Sequence, residues 1–211
     1  MRRSLKKLGV AAGAAVAAVA FAAPAATAGV AAPVWTVGPS SPEAFSGSSG
    51  TVVFIFNGIP MTCMSSAAKG DLATASGATD VTVGTVAPLT WSNCTSPFGP
   101  VAPTADTSTP WKLNANTYSA GVTHGYISGV KLRMTITTCA VTVAGRLAAT
   151  YSNSTGRLEV TDDSTYKLTV LTATPGCAGY LAVGDTWAYS ASYSLVTPVG
   201  GTTRPTLVYT P

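Results

Sequence analysis

Few residues in this 211-residue chain have types and spacing that suit catalysis. His124 is the only histidine, so a Ser-His-Asp triad would have to use it, and no G-x-S-x-G precedes a helical pattern. Between Thr123 and Gly125 it reads as an exposed loop residue. No H-E-x-x-H, P-loop or G-x-G-x-x-G occurs. Asp162-Asp163 is the only adjacent carboxylate pair. Neighbours on a strand point to opposite faces, so the two are poorly placed to act together there. In a loop they could bind calcium with Ser164, but a solvated turn is the expectation. A glycosidase pair would have to come from Asp106, Glu159, Asp162, Asp163 and Asp185, and no spacing singles out two of them. No catalytic residue, metal site or cofactor is assigned, and the chain is expected not to be an enzyme.

Two other residue types remain. Cys63, Cys94, Cys139 and Cys177 are an even set without a C-x-x-C, which argues for two disulfides rather than a redox or zinc motif. Of three connectivities, Cys63–Cys94 with Cys139–Cys177 is preferred, because each bond closes a moderate loop worth about 3–4 kcal/mol. The asparagines of Asn93-Cys94-Thr95 and Asn153-Ser154-Thr155 match the glycosylation pattern, which has no weight behind a leader of bacterial type. Trp35, Trp91 and Trp111 are the candidate ligand-binding residues, as a stacking platform for sugar rings or an apolar ligand. Large aromatics in a small β-domain serve mostly as core, and Trp187, Tyr189 and Tyr193 share a face expected to be buried.

The ends bound the setting. Arg2, Arg3, Lys6 and Lys7 precede an apolar Ala/Val run that closes on Ala26-Thr27-Ala28, so residues 1–28 are expected to be a cleaved signal peptide. Arg2-Arg3 also loosely matches a twin-arginine signal, although an ordinary basic n-region is expected. Four of the 12 basic residues belong to that leader, which leaves eight against eight acidic ones. No basic footprint for nucleic acid or anionic membrane survives, and no integral membrane segment is expected in the mature chain. Charged residues make up 9% of the chain, against about 25% in an average soluble domain. Ser, Thr, Asn and backbone must therefore cover the surface, as in extracellular β-proteins.

Alternation supplies the framework. Val130, Leu132, Met134 and Ile136 alternate with polar partners, and the parity changes after Thr138, which places a bulge, bend or tight turn near Thr137–Thr138. Asn153-Ser154-Thr155-Gly156 supplies a turn before Arg157–Thr161. Trp187–Leu195 is another clear strand. Thr51–Phe56, continuously apolar, reads as a strand buried on both faces, or as a self-assembly edge if left exposed. Residues 29–50 read as a flexible arm, 61–84 as weak strands joined by turns, 97–110 as a long Pro-rich loop, and 121–129 as a turn region. The expected fold is a single all-β domain over 51–211, a disulfide-bonded β-sandwich with a β-barrel as the alternative.

Cys94, Pro110-Trp111-Lys112-Leu113, Ile127-Ser128-Gly129-Val130, Cys139, Asn153-Ser154-Thr155-Gly156-Arg157-Leu158 and Gly176-Cys177 together resemble the small secreted bacterial family termed protein activator of alkane oxidation. The resemblance spans roughly Cys63 to Gly179 and implies a non-enzymatic extracellular role with hydrophobic substrates. The expected function is a secreted protein that binds an extracellular surface, polymer or apolar ligand. The alternatives are a self-assembling structural protein and a polysaccharide hydrolase.

Overall fold

The computed structural model describes residues 31–211, and the expected leader and the first residues of the expected arm lie outside the described residues. The chain enters through β1 (Val34–Gly38), β2 (Glu43–Ser49) and β3 (Val52–Phe56). It continues through β4 (Ile59–Leu72), β5 (Ala75–Ser76), β6 (Val81–Ser96), β7 (Gly99–Ala105) and β8 (Trp111–Ser119). After β9 (Val122–Ile136) and β10 (Cys139–Ser152) come β11 (Arg157–Thr161), β12 (Leu168–Ala173), β13 (Thr186–Val196) and β14 (Thr206–Thr210). Every pairing is antiparallel, and among the described residues no helix is long and apolar enough to cross a membrane.

Three positions in the main sheet are filled by two strands in line. β2 then β3 run along β4, β7 then β8 along β9, and β11 then β12 along β10. With each such pair taken as one stave, every stave bonds to the next in the chain, through β4–β6, β6 with β7 and β8, and β9–β10. β13 then bonds on one side to β11 and β12 and on the other to β2 and β3. The meander closes on itself, with eight positions around the ring. The all-β class is as expected, and the closure is that of its barrel alternative. Closure suits this sequence because it removes free strand edges.

Side-chain alternation explains why the ring is filled. Leu132, Met134 and Ile136 from β9, Val141 and Val143 from β10, and Trp187, Tyr189 and Tyr193 from β13 all point inward and are buried. Eight strands leave an interior that side chains can just fill. Among the described residues, the interior holds voids of about 40 and 30 Å³, well below the roughly 150 Å³ of an engineered cavity that takes benzene. Ser66 is one of several buried polar residues. Its hydroxyl donates to the Thr90 carbonyl at 2.8 Å and meets the Tyr193 hydroxyl at 2.8 Å, which meets that of Tyr189 at 2.9 Å. The chain of bonds satisfies hydroxyls that would be costly to bury alone. Burial pushes the Tyr189 phenol well above its ordinary range, with the neighbouring Tyr193 adding to it, and raises Tyr193 as well.

A second sheet, β14-β1-β5, lies where the Asn153–Gly156 turn ends β10. Its Trp35 is fully buried, against Tyr209 and edge-on to Tyr118. Glu43, the first residue of β2, is buried and accepts hydrogen bonds from the Ser40 and Thr197 hydroxyls.

Several expectations change. Val34–Gly38 and Glu43–Ser49 of the supposed arm are strands, one in each sheet, since Trp35, Val37 and Phe45 carry apolar surface into the core. Thr51–Phe56 is not buried on both faces: Val52, Phe54 and Phe56 point inward while Ile55 is exposed. It also offers no edge, because β3 is bonded to β13 and to β4. The stretch 61–72 is one continuous strand rather than several weak ones, Gly70 in it passing so close to β6 that a Cβ would meet the Thr85 carbonyl oxygen at 1.9 Å. Half of the Pro-rich stretch 97–110 is β7, whose Val101–Ala105 pairs with β9. Residues 122–129 open β9 rather than forming a turn.

Candidate functional site

The residues singled out for chemistry do not converge. Trp35 is fully buried and Trp111 is 3% exposed, with its indole N–H donating to the Asp106 carbonyl at 3.0 Å. Trp91 is half-buried, edge-on to Phe54. The three belong to separate parts of the core packing, and no shared stacking face forms. His124 is exposed, as expected, but on β9, facing the Thr150 hydroxyl at 3.3 Å.

Each of the five candidate carboxylates has local work. Asp162 accepts the Tyr189 N–H, and Asp163 accepts those of Thr165 and Tyr166, so the pair pins the excursion between β11 and β12. Glu159 bonds Arg157 and the Ser192 hydroxyl on the outer wall. Asp185 accepts the Ala182 N–H and the Asn57 amide. Asp106 sits 2.8 Å from the Lys131 ammonium. That ion-paired hydrogen bond, helped by the Ser108 hydroxyl and N–H, lowers its carboxyl from 3.8 to about 2. No group of three or more His, Cys, Asp and Glu side chains that could hold a metal ion forms among the described residues.

What the structure does assemble is a groove at one end of the barrel, where four connections meet. Asn57-Gly58 joins β3 to β4, Pro97-Phe98 joins β6 to β7, Thr137-Thr138 joins β9 to β10, and residues 174–185 join β12 to β13. The parity change after Thr138 is thus a hairpin, with Thr137 at a φ of 48°. Phe98 and Tyr180 project from these turns, 42% and 52% exposed, with ring centroids 5.0 Å apart and planes tilted by 59°. The groove beneath them holds about 320 Å³, with Phe56, Ile136 and Leu181 as its floor and Thr137, Thr138 and Gly176 at its margin.

The rings are held from several directions. The Ser96 hydroxyl accepts the Phe98 N–H at 3.2 Å and donates to the Gly99 carbonyl at 3.1 Å. The Asn57 amide donates to the Tyr180 carbonyl at 2.9 Å. Both disulfides are formed in the preferred pairing, Cys63–Cys94 and Cys139–Cys177. The first links facing residues of β4 and β6. The second ties the buried Cys177 to the half-buried Cys139 at the start of β10. Thr174 reinforces it by accepting the Ala140 N–H and donating to the Thr138 carbonyl. Gly176 passes so near that a Cβ there would meet the Thr138 carbonyl oxygen at 2.3 Å. Only glycine fits against that wall.

The sequence shows the stretch that contains Phe98 as a long Pro-rich loop, and it did not single out that residue for binding. Its one signal was an aromatic beside Pro97 and Gly99 in a turn. Tyr180 carried a similar signal beside Gly179, and only barrel closure brings the two together. Against family models, curated proteins and solved structures alike, the chain finds no match, so the resemblance drawn from short motifs lends the groove no further argument.

Proposed function

We propose that this is a secreted, non-enzymatic binding protein that holds an uncharged ligand or surface at the turn end of its barrel. The observation that carries the reading is the Phe98–Tyr180 pair, two large half-exposed rings over a groove lined by no charged side chain. Exposed aromatics on rigidly held turns are costly to keep in water, and they mark binding sites more often than isolated exposed aliphatics do. The hydrogen bonds to Asn57 and Ser96 and the Cys139–Cys177 bond fix the rings beforehand, so less ordering entropy is lost on binding. Two disulfides and near-neutral charge beyond the leader fit an oxidising extracellular setting.

The test is retention of the leaderless chain on cellulose, chitin, bacterial cell wall and alkane droplets, beside the Phe98→Ala/Tyr180→Ala double variant. Retention on one of these that the double variant loses, with its thermal unfolding midpoint unchanged, supports the site. Failure to be retained on any of the four, or equal retention of the variant, refutes it.

A further inference from the structure

Resting on that reading of the groove, we infer that its occupant is a neutral polysaccharide chain, one hexopyranose ring of which lies against Phe98 and Tyr180. A pyranose ring offers an apolar C–H face and a rim of hydroxyls, so its site needs an aromatic surface and hydrogen-bonding groups beside it, without charge. The groove has this combination. Phe98 and Tyr180 supply the rings, and the exposed Thr137 and Thr138 supply hydroxyls at the margin. Neither of those hydroxyls has a protein hydrogen-bond partner among the described residues, while the Thr138 carbonyl is already used by Thr174. Both are available to a ligand.

Volume separates this occupant from an alkyl chain. A lipid or alkane gains most when the barrel interior encloses it, and here Phe54, Met61, Trp111 and Trp187 fill that interior, leaving voids of about 40 and 30 Å³. At the rim the two rings border only a shallow groove of about 320 Å³. A shallow, uncharged, hydroxyl-edged aromatic surface suits a polymer that continues past the site on either side. The absence of charged lining side chains disfavours polyuronates and teichoic-type phosphate polymers equally.

The experiment titrates the disulfide-intact leaderless chain with β-1,4-linked glucose and N-acetylglucosamine hexamers, an α-linked mannose oligomer and a polyuronate oligomer, by calorimetry. Alkane-droplet retention is measured in parallel. We expect saturable binding of at least one neutral oligomer, little changed by added salt because no ion pair forms. Phe98→Ala and Tyr180→Ala should each weaken it about ten-fold or more, as truncating a central aromatic contact does. Tyr180→Phe, which keeps the ring, should retain most of the affinity, and Thr137→Val should lose a few-fold. Far-UV circular dichroism and the unfolding midpoint check that each variant folds. Droplet retention that depends on Phe98 and Tyr180, without oligosaccharide binding, would overturn the sugar assignment and leave the site standing. Oligosaccharide binding indifferent to both alanine variants would overturn the site itself. Preference for the polyuronate, or no binding of any oligomer, also counts against the inference.

Discussion

The Asn153 side chain grips the backbone of Leu207 from both sides of its amide, accepting the Leu207 N–H at 2.9 Å and donating to its carbonyl at 2.8 Å. An asparagine from the β10–β11 turn thereby acts as one more strand residue beside β14, whose other edge is paired with β1. Buried Leu207 is thus attached to the barrel by hydrogen bonds that no strand supplies. Asn153→Ala should cost about 1–3 kcal/mol, two hydrogen bonds at their usual net worth. Chemical denaturation gives the loss, and faster hydrogen exchange at the Leu207 amide would localise it. An unchanged exchange rate there would show that the clamp contributes nothing.

Tyr193 predicts a response to alkali. Its phenol, like that of Tyr189, is raised by burial, so the folded state holds its proton more tightly than the unfolded state does. The associated stability is complete below the ordinary tyrosine value of about 10 and declines as pH rises beyond it. The denaturation midpoint should therefore be flat from pH 7 to about 9.5 and fall above that. Tyr193→Phe should flatten the fall in part, at the cost of leaving the Ser66 and Tyr189 hydroxyls with one partner fewer. A midpoint indifferent to pH up to 11 would contradict the burial of both phenols.

Asp106 makes the opposite prediction at low pH. Its carboxyl is lowered to about 2 by Lys131 and Ser108, so the ion pair supports the folded state above about pH 4 and fades as pH falls toward 2. Carbon-detected titration of the Asp106 carboxyl should show a midpoint near 2. Lys131→Met should move it back toward the ordinary value. Both groups are solvent-accessible, so salt should weaken the effect.

The two disulfides should act alike on stability and differently on the groove. Removing either by paired Cys→Ala substitution should cost about 3–4 kcal/mol, as expected for loops of 31 and 38 residues. Loss of Cys139–Cys177 should in addition raise hydrogen exchange across residues 176–182, which frame the groove. Loss of Cys63–Cys94, which joins strands already hydrogen-bonded on both sides, should leave that stretch protected. Equal exchange in the two variants would show that Thr174 and Asn57 alone hold the segment.

Glu43 is the buried carboxylate, and the Thr197 hydroxyl depends on it together with the Ala44 carbonyl. Glu43→Ala should destabilise by about 0.5–1.5 kcal/mol, the usual net worth of a hydrogen bond, because the Thr197 hydroxyl keeps the Ala44 carbonyl. Glu43→Gln, which keeps an acceptor, should cost less. Equal losses in urea unfolding would show that packing alone matters there.

The amino-acid sequence by itself determined what depends on near neighbours. The alternation in Val130–Ile136 and Trp187–Leu195 sets which side chains face inward, because successive residues on a strand must point opposite ways. Gly156, with a φ of 68°, and Thr137-Thr138 set where the chain reverses. The order of the four cysteines favoured the pairing that formed, because short loops are the easiest to close. Partner identity is another matter. Nothing in the alternation of β13 says that Tyr189 will lie opposite Phe54, or Tyr193 opposite Ser49, from the far end of the chain. Periodicity carries a face and never a partner, so a sandwich and a barrel read alike until the last strand finds the first. That closure decided that the tryptophans belong to the packing. It also brought Phe98 and Tyr180, each an ordinary turn residue in the sequence, to within 5.0 Å of one another on the same rim.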